Sequence, residues 1–145
     1  VRRELGGGWS IDLDGAVVGR VVGGNTRFTG FGRTVWTAVW DLPSPETPAD
    51  ALAWIRQAGP PRPLRTFEEP GADDEELRYA SWCRETENGQ ERFALHAYTL
   101  RPTSYVQAAF LVTVADDLDW ALTAWRSLRY RPAPHHGGGT PLAGG

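Results

Sequence analysis

Apolar and polar positions alternate along most of this chain, and a helical period interrupts the alternation twice. Trp9-Ser-Ile-Asp-Leu13 alternates as a short strand, and Asp14-Gly15 is a turn leading into a second strand, Val17 to Val22. Gly23-Gly24-Asn25 reverses the chain into Thr26 to Phe31, and Gly32 precedes a strand from Arg33 to Asp41 that is rich in β-branched and aromatic residues. On that strand Trp36, Ala38 and Trp40 point one way and Val35, Thr37 and Val39 the other, so each face is expected to be at least partly covered.

The period then changes. Thr47 as N-cap, Pro48 at the first helical position and Asp50 at the third predict a helix of about three turns, stopped by Gly59-Pro60. Ala51, Trp54, Ile55 and Ala58 form its apolar side, widened by Leu52. From Gly59 to Glu76 the chain is rich in proline and then in acids, with Leu64 and Phe67 as anchors, and it reads as a long mobile connection.

Strands from Leu77 to Thr86 and from Glu91 to Arg101 flank Asn88-Gly89, a pair suited to the positive backbone angles of a type I′ turn. With those two residues at the centre of the turn, Trp82 falls opposite Leu95, Ala80 opposite Ala97 and Ser81 opposite His96. Trp82, Phe93 and Leu95 then share a core face. A last strand spans Ser104 to Val114. The stretch from Asp116 to Leu128 is a closing helix with Asp116 as N-cap, Asp119 near the positive end of its dipole, and a stripe of Leu118, Ala121, Leu122, Trp125 and Leu128. Trp120 lies beside the stripe and either widens the buried face or marks a contact. Arg126, Arg129 and Arg131 suit the helix's negative end, and Pro132 stops it.

The predicted order is β-β-β-β-α-β-β-β-α, an α+β fold with an antiparallel sheet of about six to seven strands and two helices packed on it. Residues 1–8 read as a flexible N-terminus, residues 9–131 as a single domain containing the 59–76 connection, and residues 132–145 as a disordered tail of glycine, proline and alanine with two histidines.

Composition narrows the functional classes. A chain of 145 residues removes roughly two-thirds of its unfolded surface from water, enough for a core without staples. The single cysteine, Cys83, excludes an intrachain disulfide, and a cytoplasmic location is the default. No segment approaches the run of about 18 apolar residues that spans a bilayer, so no membrane association is expected. All 15 basic residues are arginine, yet they are scattered and the net charge is -3, which argues against nucleic acid as a partner.

Candidate chemistry concentrates on the Asn88-Gly89 hairpin. Ser81, Cys83 and His96 share a face with Tyr79, Glu85 and Tyr98, and a hydroxyl or thiol beside an imidazole is the arrangement of an activated nucleophile. Flat strand rows are poor nucleophile sites, and a lone cysteine in a sheet is usually inert, so no catalytic residue is assigned. The acidic run Glu68-Glu69 with Asp73-Asp74-Glu75-Glu76 lacks the alternating ligands and central glycine of a calcium loop, and His135-His136 are two adjacent ligands on a tail. Gly6-Gly-Gly8 and Gly137-Gly-Gly139 lack the strand, lysine and helix of a phosphate loop. No metal and no cofactor is expected. Seven tryptophans are more than a minimal core requires, and Trp36, Trp40, Tyr79, His96, Tyr98, Tyr105 and Trp120 form the candidate binding surface.

The order of elements, with the early Trp9-Ser-Ile-Asp-Leu13 strand, the central helix, the long Asn-Gly hairpin and the terminal Trp125-Arg-Ser-Leu128, resembles the PsbP-like fold, which includes the Ran-binding Mog proteins and DcrB-type bacterial lipoproteins. Gly32-Arg-Thr-Val-Trp36 and Asp119-Trp-Ala-Leu122 are similar to strings in small actinobacterial proteins. The resemblance covers residues 9 to 129 and implies partner binding without a shared catalytic constellation. The chain departs from the lipoproteins in having no lipobox cysteine. The leading expectation is a non-enzymatic protein-interaction domain, a bacterial immunity or accessory role being one version. The alternatives are a carrier of a small apolar ligand between sheet and helix and, third, a hydrolase-like enzyme using Ser81, Cys83 and His96. An interaction domain predicts an exposed aromatic patch, a carrier a closed apolar pocket, and an enzyme His96 within hydrogen-bond reach of Ser81 or Cys83.

Overall fold

A computed structural model describes residues 1–132. The strands are β1 (Arg2–Gly6), β2 (Trp9–Asp12), β3 (Val18–Val22), β4 (Asn25–Gly30), β5 (Arg33–Asp41), β6 (Arg65–Pro70), β7 (Leu77–Glu87), β8 (Gln90–Leu100), β9 (Ser104–Val112) and β10 (Arg129–Tyr130). Helix α1 (Pro48–Ala58) follows β5, and α2 (Leu118–Arg126) follows β9 through a single 3-10 turn. The fold is α+β: seven antiparallel strands in the order β3-β4-β5-β9-β8-β7-β6, and a separate three-stranded sheet, β1-β2-β10.

The hairpin register read from Asn88-Gly89 is the one observed, with Trp82 opposite Leu95 and Ser81 opposite His96. Both turn residues have positive φ, 53° and 77°, as a type I′ turn demands. Helix α1 starts with a complete capping box: Asp50 N–H donates to Thr47 Oγ1 and Thr47 N–H to Asp50 Oδ2.

Period-two alternation sorts the seven strands into two faces. One face is closed. Val35, Trp82, Leu95 and Phe110 meet Leu122, Trp125 and Leu128 from the α2 region and Trp9 and Ile11 from β2 in one continuous core. The two deepest indoles have their N–H groups satisfied, Trp9 by Ser104 Oγ at 3.0 Å and Trp125 by Thr99 Oγ1 at 3.1 Å, so their burial leaves no orphaned donor. Trp120 widens this face: it packs edge-on against Phe110 and lies under the Arg33 guanidinium.

Three expectations need correction. Residues 1–8 are not a flexible lead: β1 pairs with β2, and β2 pairs on its other side with β10. Leu5 packs on the core, Arg3 donates to the carbonyls of Asp14, Gly15 and Val17, and Gly8 is a glycine because a Cβ there would lie 2.6 Å from the Arg131 carbonyl oxygen. The strand count therefore rises to ten, with an extra strand before Trp9, one within the connection and one after α2.

The 59–76 connection is likewise not mobile through its length. Its centre is β6, paired with β7 from Arg65 opposite Trp82 to Pro70 opposite Leu77. Its acids form ion pairs: Glu69 takes two hydrogen bonds from Arg126, Glu68 pairs with Arg56, and the buried Glu76 takes Arg78 at 2.9 Å and Arg101 at 3.1 Å. Gly71 makes room for this, since a Cβ would lie 2.4 Å from that of Glu76.

The α2 cap is the third correction. Asp116 does not cap; residues Ala115–Asp117 form the 3-10 turn, and Asp117 gives its carboxylate to Arg33, at 2.9 and 3.2 Å. At the other end Arg129 and, from β7, Arg78 donate to the terminal carbonyls, including that of Arg126. The tail, with His135, His136 and Gly137-Gly-Gly139, lies outside the described residues apart from Pro132.

Candidate functional site

The second face of the seven-stranded sheet is only half covered. Helix α1 sits at one end, where Ala51 and Ile55 bury Leu42, Leu100 and Tyr105, with Tyr79 and Tyr98 at the margin. Trp54 reaches back edge-on to Tyr105, centroids 6.2 Å apart, and remains 41% exposed. Beyond α1 the strands are open.

Six of the seven predicted surface residues lie on this face. Register aligns Trp40 with Tyr105, Trp36 with Ala109, His96 with Ser81 and Tyr98 with Tyr79. They divide by environment: Tyr105 is buried beneath α1, Tyr79 and Tyr98 are half-buried at its edge, and Trp36, Trp40 and His96 stand in the open lane. Trp120 is on the other face and belongs to packing.

Three shallow hollows run in series across the open lane. The first, about 370 Å³, lies between Trp36 and Trp40 over Ala38 and Ala109, with Gln107 and Asn25 at its rim. The second, about 530 Å³, shares Trp36 and adds Arg27, Arg92, Glu87 and His96. The third, about 410 Å³, shares His96 and is lined by Tyr79, Tyr98, Ser81 and the α1 end from Ile55 to Pro61. Small residues on the central strands create the lane: alanine at 38 and 109 leaves the flanking indoles standing proud.

Several polar groups on this face are paired among themselves. Trp40 Nε1 donates to Gln107 Oε1 at 3.0 Å, and Ser81 Oγ donates to Tyr79 OH at 3.3 Å. His96 Nε2 lies 2.6 Å from Glu85 Oε2, and Arg92 bridges Glu85 and Glu87. The imidazole is thus engaged by a carboxylate four paired positions along the hairpin, while the hydrogen bond of Ser81 goes to a phenol. Burial, with the Glu85 charge adding to it, pushes the Cys83 thiol above its ordinary range, which disfavours the thiolate. Burial raises the Tyr98 and Tyr105 hydroxyls as well. No group of three or more His, Cys, Asp or Glu side chains arranged to hold a metal occurs among the described residues.

Two participants were not anticipated from the sequence. Arg27 lies over the Trp36 ring, 5.4 Å from its centroid, and Gln107 anchors Trp40. The first had a signal: Phe31-Gly32 is a two-residue turn, which places Arg27 opposite Trp36.

No protein-family model matches the chain, and no curated protein matches it. A crystal structure from Bacteroides thetaiotaomicron VPI-5482, at 1.50 Å resolution, aligns with 86% of this chain at 10% sequence identity and a TM-score of 0.63. The chain spans 45% of that protein's length. At this identity the likeness is one of fold. No helix among the described residues is long and apolar enough to cross a membrane.

Proposed function

We infer that this chain is a non-enzymatic protein-interaction domain whose contact surface is the open sheet lane centred on Trp36 and Trp40. The observation that carries the reading is the pair of indoles flanking the 370 Å³ hollow, with Trp40 48% exposed although its N–H is already held by Gln107. A rigid aromatic pair around a hollow roomy enough for a large side chain is how interfaces seat an anchor residue. The resemblance to the PsbP-like fold, whose members mostly bind partners, points the same way. The hollow beside α1 is the natural place for a small apolar ligand, but it is open and carries Ser81 and His96, which suits a carrier less well.

The test is co-purification from the native host with the parent chain and with Ala38→Arg, which fills the hollow from an outward-facing position. One stoichiometric protein retained by the parent and lost by the variant, with circular dichroism unchanged, supports the reading. Equal retention overturns the lane as the contact surface. Reproducible absence of a partner, together with a bound small molecule, favours the carrier.

A further inference from the structure

The two edges of the seven-stranded sheet are built in opposite ways. At one edge β6 is charged and tied down, with Glu68 and Glu69 in ion pairs and Pro70 ending the strand without an N–H. At the other, β3 reads Val18-Gly-Arg-Val-Val22, every residue exposed, with Val18 at 65%, Val21 at 74% and Val22 at 40%. Its register with β4 is continuous, so no bulge turns the edge away. An uncovered edge of this kind is a template for another strand, and proteins normally blunt it.

The free positions follow from the register. Gly23-Gly24 is a two-residue turn with positive φ at both residues, which makes Val22 with Asn25, Arg20 with Arg27 and Val18 with Thr29 the hydrogen-bonded pairs. The N–H and C=O groups of Gly19 and Val21 therefore point outward. Charge supplies the partner's chemistry. Arg20 and Arg27 stand directly opposite one another on the open face, a like-charge pair that destabilises the hairpin, and neither joins the ion pairs of the described residues. Arg27 Nε has no hydrogen-bond partner. Val18 and Val22 flank Arg20 on the same face.

The geometry points to β3 as the acceptor of an extended segment from a partner protein, one that adds an eighth strand and places an acidic residue opposite Arg20 between two apolar residues. This rests on the interaction-domain reading and adds the partner's chemistry and its mode of docking. A second copy of this chain is the poorer occupant, since pairing two β3 strands about their centres sets Arg20 against Arg20.

The probe is a fluorescein-labelled peptide, Ser-Val-Thr-Glu-Thr-Val-Ser, with a control carrying lysine for glutamate, read by fluorescence anisotropy against the whole chain. The glutamate peptide should bind roughly tenfold tighter than the control, and Arg20→Glu should reverse the preference. Val21→Pro removes an outward N–H that no internal ladder bond uses, so the fold should persist while binding weakens roughly tenfold or more. In amide exchange the peptide should slow Gly19 and Val21 and leave Val18, Arg20 and Val22 as they were. If Val21→Pro fails to fold, the Arg20→Glu reversal and the exchange pattern still decide. No binding, equal binding of both peptides, protection at β6 instead, or a dimer in sedimentation that Val21→Pro dissolves would each overturn the proposal. Native-partner capture lost in Ala38→Arg but kept in a folded Val21→Pro overturns the edge and spares the lane; the converse pattern overturns the lane and spares the edge.

Discussion

The two faces of the seven-stranded sheet are made by the same strands, yet they do different work. The closed face gathers twenty buried residues into one cluster beneath α2 and the small sheet, whereas the α1 side has five. Tryptophan shows the contrast best. Trp9 and Trp125 are fully buried, with their N–H groups held by hydroxyls deep in the core, while Trp40 is half exposed and its N–H is held by a surface amide. Residue type alone does not say which face an aromatic serves; what lies across from it does.

The largest expected effect lies in the closed face. Trp125→Ala should cost about 3–5 kcal/mol in urea unfolding, because a cavity and an orphaned Thr99 hydroxyl replace the ring. Trp40→Ala should cost about 1 kcal/mol or less. Equal costs would mean that the two faces hold their indoles alike.

The ionic clusters of the two faces differ in burial as well. Glu76 is buried between Arg78 and Arg101, so Glu76→Ala leaves the buried Arg78 without its carboxylate and should cost about 3 kcal/mol. On the open face His96→Ala removes a half-exposed partner of Glu85 and should cost about 1 kcal/mol or less. If His96→Ala abolishes partner capture with thermal stability unchanged, His96 joins the contact surface.

A smaller effect is a dependence on acid. Hydrogen bonds from Arg126 hold the Glu69 carboxyl below its ordinary value of 4.5. Its folded value is depressed, so its stabilisation is complete above the unfolded value and is lost as pH falls from about 4.5 through the folded value. Stability measured from pH 6 downward should therefore fall less steeply for Glu69→Gln than for the parent. An identical slope would remove Glu69 from the α2 anchor.

The smallest and opposite effect is at the β4–β5 turn. Phe31 is 73% exposed and held at φ 56°, a region unfavourable to a bulky side chain. Phe31→Asn should raise stability by about 1 kcal/mol in thermal unfolding. No gain would mean that the ring is supported locally.

What could be read from the sequence was local. Asn88-Gly89 sets the long hairpin's register because the turn chemistry needs no distant partner, and alternation then assigns Trp82 and Leu95 to one side and Ser81 and His96 to the other. Thr47 and Asp50 define α1 within four residues. What could not be read depends on partners far along the chain. Arg2 to Gly6 looked like a loose charged lead because Trp9 to Asp12, its partner, also needs Arg129 and Tyr130. The acids of the connection looked solvated because Arg101 and Arg126, which hold three of them, come much later. For the site, the aromatic lane was legible from alternation, and the division between buried Tyr105 and exposed Trp40 was not, because it depends on where α1 lands.

The pairing of β10 with β2 bears on the order of folding. Ser10 meets Arg129, so the small sheet joins the first and last strands of the described chain. The hairpins of the large sheet close short loops and need no help from it, whereas this contact carries nearly the largest loop-closure cost the described chain can impose. Emerging from a ribosome, the large sheet is complete before Tyr130, which packs on Trp9, has been made, and the closed face stays open until α2 and β10 follow. The core face is the last to become a core, and the lane of Trp36 and Trp40 is laid out before the molecule beneath it is finished.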